Sequence, residues 1–408
     1  MSAESTPDPG EPGQGPGQPH PGTPPPGGSQ GGPEGPASPD GGAEGAASRR
    51  RSAKGRRRKP RSGRRKALIA LAWTTAGIVV LGGTGVTYLY FKLNGNIKSV
   101  DIDQVLGSDR PSKTDNGSEN ILVLGSDSRS GGNKKLGGGT DDGTARSDTA
   151  MIVHVYKGHK KAAVVSIPRD TLVDRPACTS ADGTEHDAAG DVMFNSAYST
   201  GGAACAVKTV ESVTDLRMDH YLEVDFDGFE KLVDELGGVR VTTTKNIDDP
   251  DSHLDLKAGT HTLTGKQALG LVRTRHGVGD GSDLGRIQLQ QAFVKALVAQ
   301  VKDVGVLSSP KKLYDLADTA TRTVTTDSSL GSVNSLVSFA SGLKGIGASH
   351  MTMVTMPVEY DPANANRVLL DKSKAQQVWT ALKNDRPVPA SATTGTASGQ
   401  AKGVVSGS

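Results

Sequence analysis

The chain has 408 residues and nearly balanced charge, 47 Lys and Arg against 44 Asp and Glu, for a formal net charge of +3. That balance hides an asymmetry. Residues 1–48 carry six acids and no Lys or Arg, and residues 49–66 carry twelve bases and no acid, which leaves everything after Lys66 at −3. A mildly acidic remainder with local arginine clusters excludes a general polyanion binder, so no nucleic-acid partner is expected.

Residues 1–48 are dominated by Gly, Pro, Ser and Glu and hold no long apolar run, so the sequence predicts a disordered tail. The basic run 49–66, taken alone, is open to a nucleic-acid reading, and the next segment decides. Residues 67–91 are 25 positions without a charge; at about 1.5 Å per residue they span a hydrocarbon core of roughly 30 Å. Tyr88, Tyr90 and Phe91 stand at the far end as an aromatic belt, followed by Lys92. The length of the segment, its place in the chain and the lack of a small-residue cleavage site argue for an uncleaved anchor. The positive-inside rule then places residues 1–66 in the cytoplasm and the rest outside, with the basic run against anionic headgroups of the lipid bilayer.

Residues 92–118 are polar and turn-rich and are expected to form a linker. An exterior domain follows over residues 119–386, with a small, polar, disordered tail at 387–408. The domain opens with strands at 121–125 (ILVLG), 150–156 and 162–167. If these run up, down and up, Asp127, Asp148 and Arg169 meet at one edge with Arg146 alongside. Two carboxylates with room for water suit Mg²⁺ (or Mn²⁺), which leaves phosphate oxygens to complete its shell. Residues 178–191 read as a polar loop. Cys178 and Cys205, the only cysteines, lie on the exterior side and predict one disulfide. Closing a loop of that length stabilises by about 3 kcal/mol. Helices are expected at 203–214, 228–236, 263–269 (opened by Thr264), 311–320, 330–342 and 373–382. Strands are expected at 220–226, 239–243 and 351–358. This alternation predicts an α/β domain with a mixed central β-sheet flanked by helices.

The stretch 273–291, RTRHGVGDGSDLGRIQLQQ, holds the densest chemistry. On an extended segment Arg273 and Arg275 point to the same side. Asp283 then caps a helical pattern that places Arg286 and Gln290 one turn apart. Guanidinium groups grip phosphate oxygens in bidentate fashion, so the spacing predicts a diphosphate clamp. The glycines match neither a P-loop nor an EF-hand, no Cys/His cluster has zinc-ligand spacing, and no H-E-x-x-H occurs.

The motifs ILVLGSDSR, RSDTAMIV, VSIPRDTLV, FNSAYSTGG, VDFDGFEKLVDELGGV and the arginine stretch, in this order, resemble the LytR-CpsA-Psr family of bacterial envelope proteins. The resemblance implies a membrane-anchored phosphotransferase. Such enzymes move a glycopolymer, teichoic-acid-like or another wall polysaccharide, from a polyprenyl-diphosphate carrier to a peptidoglycan acceptor, with the lipid tail in an apolar tunnel. It also implies that Asp127 and Asp148 hold Mg²⁺. Arg146, Arg169, Arg273, Arg275, Arg286 and Gln290 would grip the diphosphate, with Asp127, Asp148, Arg169 and Arg286 catalytic. Asp283 and Asp127 are candidates for a general base. The sequence departs from the family at Met193, where a basic residue is common, and at Leu289, where a third arginine is common. Two alternatives stay open: a lipid-diphosphate binder or hydrolase without transfer, and a membrane-tethered transcriptional attenuator acting through residues 49–66.

Overall fold

The structure, a computed structural model, describes residues 63–127, 147–275, 282–305, 309–397 and 405–407. The chain divides into a unit of residues 1–67 and a unit of residues 68–408. The expected tail 1–48, most of the basic run and Arg146 lie outside the described residues. The first described element is α1 (Gly63–Asn96), long and apolar enough to cross a membrane, whose apolar stretch buries nothing within the protein.

Next come β1 (Lys98–Val100), α2 (Ile102–Leu106), β2 (Glu119–Ser126), β3 (Ser147–Val155), β4 (Ala162–Ile167), β5 (Thr171–Arg175), β6 (Cys178–Thr179), β7 (Glu185–His186) and β8 (Ala189–Met193). The middle of the chain forms α3 (Asn195–Thr214), β9 (His220–Asp225), α4 (Phe226–Glu235), β10 (Val239–Thr243), β11 (Ile247–Asp249), β12 (Leu254–Leu256), β13 (Gly259–Leu263), α5 (Gly265–Arg273) and α6 (Asp283–Asp303). The last third forms α7 (Pro310–Thr323), β14 (Val324–Asp327), α8 (Val333–Leu343), β15 (Met351–Thr355), β16 (Val358–Asp361), β17 (Asn364–Leu370), α9 (Lys372–Lys383) and β18 (Val405–Gly407).

Seven strands make a mixed sheet in the order β1-β14-β9-β2-β3-β4-β15. Within it β2, β3 and β4 are successively antiparallel, while β9 lies parallel to β2 and β15 parallel to β4. Side chains alternate between two covered faces. On one, Leu122, Ile152 and Val165 join Val207 and Val210 of α3 and Trp379 of α9. On the other, Ile121, Met151 and Val164 meet Val294 and Val298 of α6 and Phe339 and Leu343 of α8. A third cluster sets Leu289, Phe293 and Ala296 of α6 against β10 and α5. Because α6 serves all three clusters, it carries apolar residues around most of its circumference. The result is the α/β class expected, a mixed central sheet flanked by helices.

Four segments differ from the sequence expectation. Residues 92–118 are no loose linker: α1 runs to Asn96, β1 pairs with β14, Ile102 and Leu106 are buried, and Arg110 is bonded to buried Glu211. The polar stretch 178–191 forms the β6–β7 hairpin and β8, and the expected Cys178–Cys205 disulfide, with Cα atoms 5.3 Å apart, ties that hairpin to α3. Gly201 lies against this bridge, where an added Cβ would sit 2.2 Å from Cys205 Sγ, so only glycine fits. The strand expected at 351–358 is broken at Met356 and Pro357; β15 stays at the edge of the large sheet and β16 pairs with β17 at the edge of a four-stranded one. The expected tail at 387–408 is partly structured, since Ala392 and Thr396 are fully buried and β18 pairs with β10. Small residues leave no periodic apolar signal even where each is buried.

At the end of β14, Asp327 Oδ2 accepts the Tyr221 N–H at 3.0 Å and lies 3.3 Å from His220 Nδ1. Burial opposes ionisation, but His220, Ser329 and the backbone donor outweigh it and hold the carboxyl at about 2, below the ordinary 3.8. A depressed carboxyl contributes stability above its unfolded value and loses it as pH falls through the folded one. Asp327→Asn is expected to cost about 2 kcal/mol at neutral pH, a difference that shrinks between pH 4 and pH 2. Urea unfolding across that range checks it; a pH-independent difference would contradict the assignment.

Candidate anion-binding site

The strand order brings the end of β2, the start of β3 and the end of β4 to one edge of the sheet. Gly125 pairs with Thr149 and Ser126 with Ser147, so Asp148 is the extra residue of a bulge. A bulge turns its residue out of the ladder and re-aims the side chain, here at the edge where β4 ends in Pro168 and Arg169. Gly125 sits close to its partner, as an added Cβ would lie 3.2 Å from Thr149 Cβ. Arg169 Nη1 donates to Asp148 Oδ1 at 2.6 Å, and its Nε lies 3.4 Å from Asp170 Oδ2 and 3.6 Å from Asp283 Oδ1.

The N-terminus of α6 supplies the facing wall. Its cap is Ser282, whose hydroxyl accepts the Leu284 N–H, so Asp283 is the first helical residue and not the cap. Asp283 complements the positive end of the helix and pairs with Arg286 one turn on. Arg286 is nearly fully buried and donates Nη2 to the Asp148 carbonyl at 3.1 Å. The Nε donors of both Arg169 and Arg286 are buried without a hydrogen-bond acceptor among the described residues.

The two arginines of the RTR motif separate. Arg273 ends α5, where a capping box at Thr264 starts the helix, and its guanidinium stacks 4.9 Å from the Phe226 ring centroid. The extended segment expected there is helical because the apolar face of α5 runs on through Leu271 into the core. Buried Thr274 ends the helix, and the Arg275 N–H donates to Asp249 Oδ2 at 2.9 Å. Arg275 joins Arg169, Asp170, Asp283, Tyr360 and Arg367 around a cleft of about 340 Å³.

Three guanidinium groups therefore converge on Asp148. Burial opposes its ionisation, yet Arg286 and Arg169 outweigh that and hold the carboxyl below the usual range. Arg275 is also lowered, which for an arginine weakens the charged form: burial, then repulsion from Arg286 and Arg169, outweighs the pull of Asp148 and Asp283. Asp170 is raised by burial and by Asp283, against the pull of Arg169. The cleft is thus short of negative charge where Arg275 enters it, which suits an anion that bridges the arginines.

Other residues singled out in the sequence take different places. Gln290 is buried and donates to Thr149 Oγ1 at 2.9 Å and the Val272 carbonyl at 3.1 Å, so it braces α6 against β3 and α5. Leu289 points into the core with Phe293, away from the cleft, whereas Met193 lines the cleft. Asp127 follows β2 and is half-buried, near Tyr198 of α3. Tyr198 donates to Glu223 Oε1 at 2.5 Å, and Tyr221 bonds the other oxygen of the same carboxylate. Asp170, Tyr360 and Arg367 were not singled out in the sequence as cleft residues. Only the adjacency of Asp170 to Arg169 hinted at the first, and Tyr360 and Arg367 arrive on β16 and β17 from the far end of the chain.

An apolar N-terminal helix long enough to cross a membrane, followed by an α/β domain with an arginine-lined cleft, is the arrangement to be matched with known proteins. The chain belongs to the LytR_cpsA_psr family, whose model matches residues 89–384. It is 32% identical over 332 residues to the polyisoprenyl-teichoic acid–peptidoglycan teichoic acid transferase TagT of Bacillus subtilis (strain 168), covering 79% of this chain and 95% of TagT. It is 32% identical over 308 residues to the cell wall biosynthesis protein LcpA of Corynebacterium glutamicum, covering 69% of this chain and 58% of LcpA. A solved structure of TagT bound to LI-WTA superposes with a TM-score of 0.50 at 27% identity, over 68% of this chain and 94% of that one.

Proposed function

We propose that this chain transfers a glycopolymer from a polyprenyl-diphosphate carrier to a hydroxyl of peptidoglycan, on the outer side of the membrane that α1 crosses. The observation that carries the proposal is the cleft lined by Arg169 and Arg275, with Arg286 buried beside Asp148 at its wall, and with Arg275 incompletely neutralised by the carboxylates of the described residues. The relatedness to TagT supports the substrate class.

In this mechanism the acceptor hydroxyl attacks the phosphorus bonded to the sugar, and polyprenyl phosphate leaves. Negative charge grows on the leaving phosphate, so its bonds to Arg169, Arg275 and Arg286 strengthen in the transition state, which is the condition for catalysis. Asp283 is tied to Arg169 and Arg286 and positions them. Asp170 lines the cleft, and its raised carboxyl suits it to accept the hydroxyl proton. Half-buried Val123, Val153, Leu222 and Phe339, between the sheet, α6 and α8, offer an apolar surface to the polyprenyl tail.

Among the described residues no three His, Cys, Asp or Glu side chains converge as a metal cage. Mg²⁺ needs none, as it commonly takes one or two carboxylates with water and substrate phosphate. Asp148 is an ionised hard-oxygen donor at the end of β3, and Asp127 lies at the neighbouring end of β2, so the pair fits Mg²⁺ (or Mn²⁺). Bound there, the ion would neutralise charge on the diphosphate oxygens.

The test uses the full chain in vesicles with a polyprenyl-diphosphate-linked polymer, with and without peptidoglycan. Polymer appearing on peptidoglycan is the expected result. Release of polyprenyl phosphate that needs only water and ignores the acceptor would instead establish a hydrolase. Asp148→Asn and Asp127→Asn are expected to abolish metal-dependent transfer while binding of the lipid diphosphate, read by calorimetry without metal, stays within a few fold. A loss of that metal-free binding as large as the loss of transfer would show that the carboxylates serve the arginines and not an ion.

A further inference from the structure

We propose that the first turn of α7 docks on the membrane: Leu313 seats in the interfacial layer of the bilayer beside α1, and Lys311 and Lys312 reach its phosphate headgroups. The proposal rests on α1 being the membrane span.

The basis is the register between two helices. Lys92 Nζ donates to Tyr314 Oη at 2.6 Å and lies 3.4 Å from Asp318 Oδ1. One turn further along α1, Asn96 Nδ2 donates to Asp318 Oδ1 at 3.2 Å and to Thr321 Oγ1 at 3.5 Å. Tyr314, Asp318 and Thr321 form one face of α7, and between the two α1 contacts Leu93 is buried. As α1 advances from Lys92 to Asn96, its partners advance from Tyr314 to Thr321, so the two helices run side by side in the same direction. The junction is held a third time by Asn94, whose Oδ1 accepts the N–H of Val333, the first residue of α8, at 3.2 Å. The anchor is therefore a fixed mast and not a loose tether.

Both helices rise about 1.5 Å per residue, so stepping back from these contacts sets Leu313 level with Tyr88–Phe91 of α1. About 20 residues from Ala67 carry α1 through the hydrocarbon, to the neighbourhood of Val86. Tyr88, Tyr90 and Phe91 then lie in the interfacial layer, where aromatic residues collect. The N-terminal turn of α7 is at that same height. Its composition suits the place: Leu313 is 43% exposed, the Lys311 side chain is 85% exposed, and Lys312 is exposed beside it. Lys311 pairs with Asp315 at 2.5 Å, which leaves its ammonium further donors for a headgroup. Lys311 and Lys312 precede Leu313, so their backbone stands about 1.5–3 Å nearer the bilayer centre and their long side chains reach back to the headgroups, as Lys311 does towards Asp315 one turn on; basic residues near an anionic surface add attraction. The height of the turn selects the occupant, since a bilayer crossed by α1 necessarily stands there.

The experiment places single nitroxide labels on the full chain, disulfide intact, in vesicles of phosphatidylcholine and phosphatidylglycerol, at Val80→Cys, Leu313→Cys and Arg322→Cys. Oxygen and a water-soluble nickel chelate serve as paramagnetic probes. The Leu313→Cys label should favour oxygen over nickel several-fold more than the Arg322→Cys label does. Adding Lys311→Glu and Lys312→Glu should move it towards the aqueous value when phosphatidylglycerol is present. A water-like label at position 313 with a lipid-buried label at position 80 overturns the docking while the span stands. A water-like label at position 80 removes the span itself. No change on charge reversal overturns the role of the lysines.

Discussion

Replacing Arg275 by alanine is expected to weaken binding of a polyprenyl diphosphate at least tenfold and to remove transfer, while the fold survives. Arg275 is the useful probe because its side chain lines the cleft and its backbone, not its guanidinium, makes the bond to Asp249. A charge-assisted hydrogen bond contributes roughly 1.5–3 kcal/mol, and losing a bidentate contact exceeds the 1.4 kcal/mol that corresponds to a factor of ten. The substitution also relieves repulsion from Arg286 and Arg169, so Arg275→Ala should not lower thermal stability. Arg275→Lys should not restore binding, since an ammonium cannot form the planar fork. Arg286→Ala is a poorer probe, because that side chain is buried and holds the Asp148 carbonyl and Asp283 in place. Calorimetric titration with a short polyprenyl diphosphate decides it: wild-type affinity in a folded Arg275→Ala protein would show that the cleft is not the diphosphate site.

Arg110→Ala is expected to cost about 3–5 kcal/mol of stability, the range for removing one partner of a buried ion pair. Arg110 and Glu211 side chains are each 2% exposed, and Arg110 Nε and Nη2 bond both carboxylate oxygens. Without the guanidinium, Glu211 keeps the Met218 N–H at 2.8 Å but remains a buried charge with no counter-ion. Replacing both residues, as Arg110→Met with Glu211→Leu, should cost much less, because no charge is then stranded. Urea unfolding of the two variants tests this. A single variant within 1 kcal/mol of wild type would mean that the segment before β2 does not hold the domain together.

Local signals carried much of the fold. Residues 239–243 are the strand expected, Thr264 opens α5, and the helices at 310–323 and 372–383 lie within a few residues of their expected bounds. The expected up-down-up order of β2, β3 and β4 is the antiparallel one found, and it brought Asp148 to the edge where Arg169 lies. The bulge at Asp148 was not legible, since it arises from a register shift between two strands and leaves no mark in either one. Nor was the burial of Gln290, which looks the same in sequence whether it faces a ligand or braces two elements.

The sequence by itself determined the apolar helix, the cysteine pair, the α/β class and the arginine and aspartate types that the site uses. These depend on local periodicity, composition and short-range chain direction, all of which are written along the chain. Tertiary structure alone decided which arginines share the cleft. Arg273 turned to Phe226 because α5 continued through it, while Arg275, just past the helix end, reached Arg169 and Arg286. It also decided that Tyr360 and Arg367 face them, and that residues 92–118 pack instead of linking. Such outcomes depend on contacts between separate segments of the chain, where neither partner's neighbours in sequence record the other's presence.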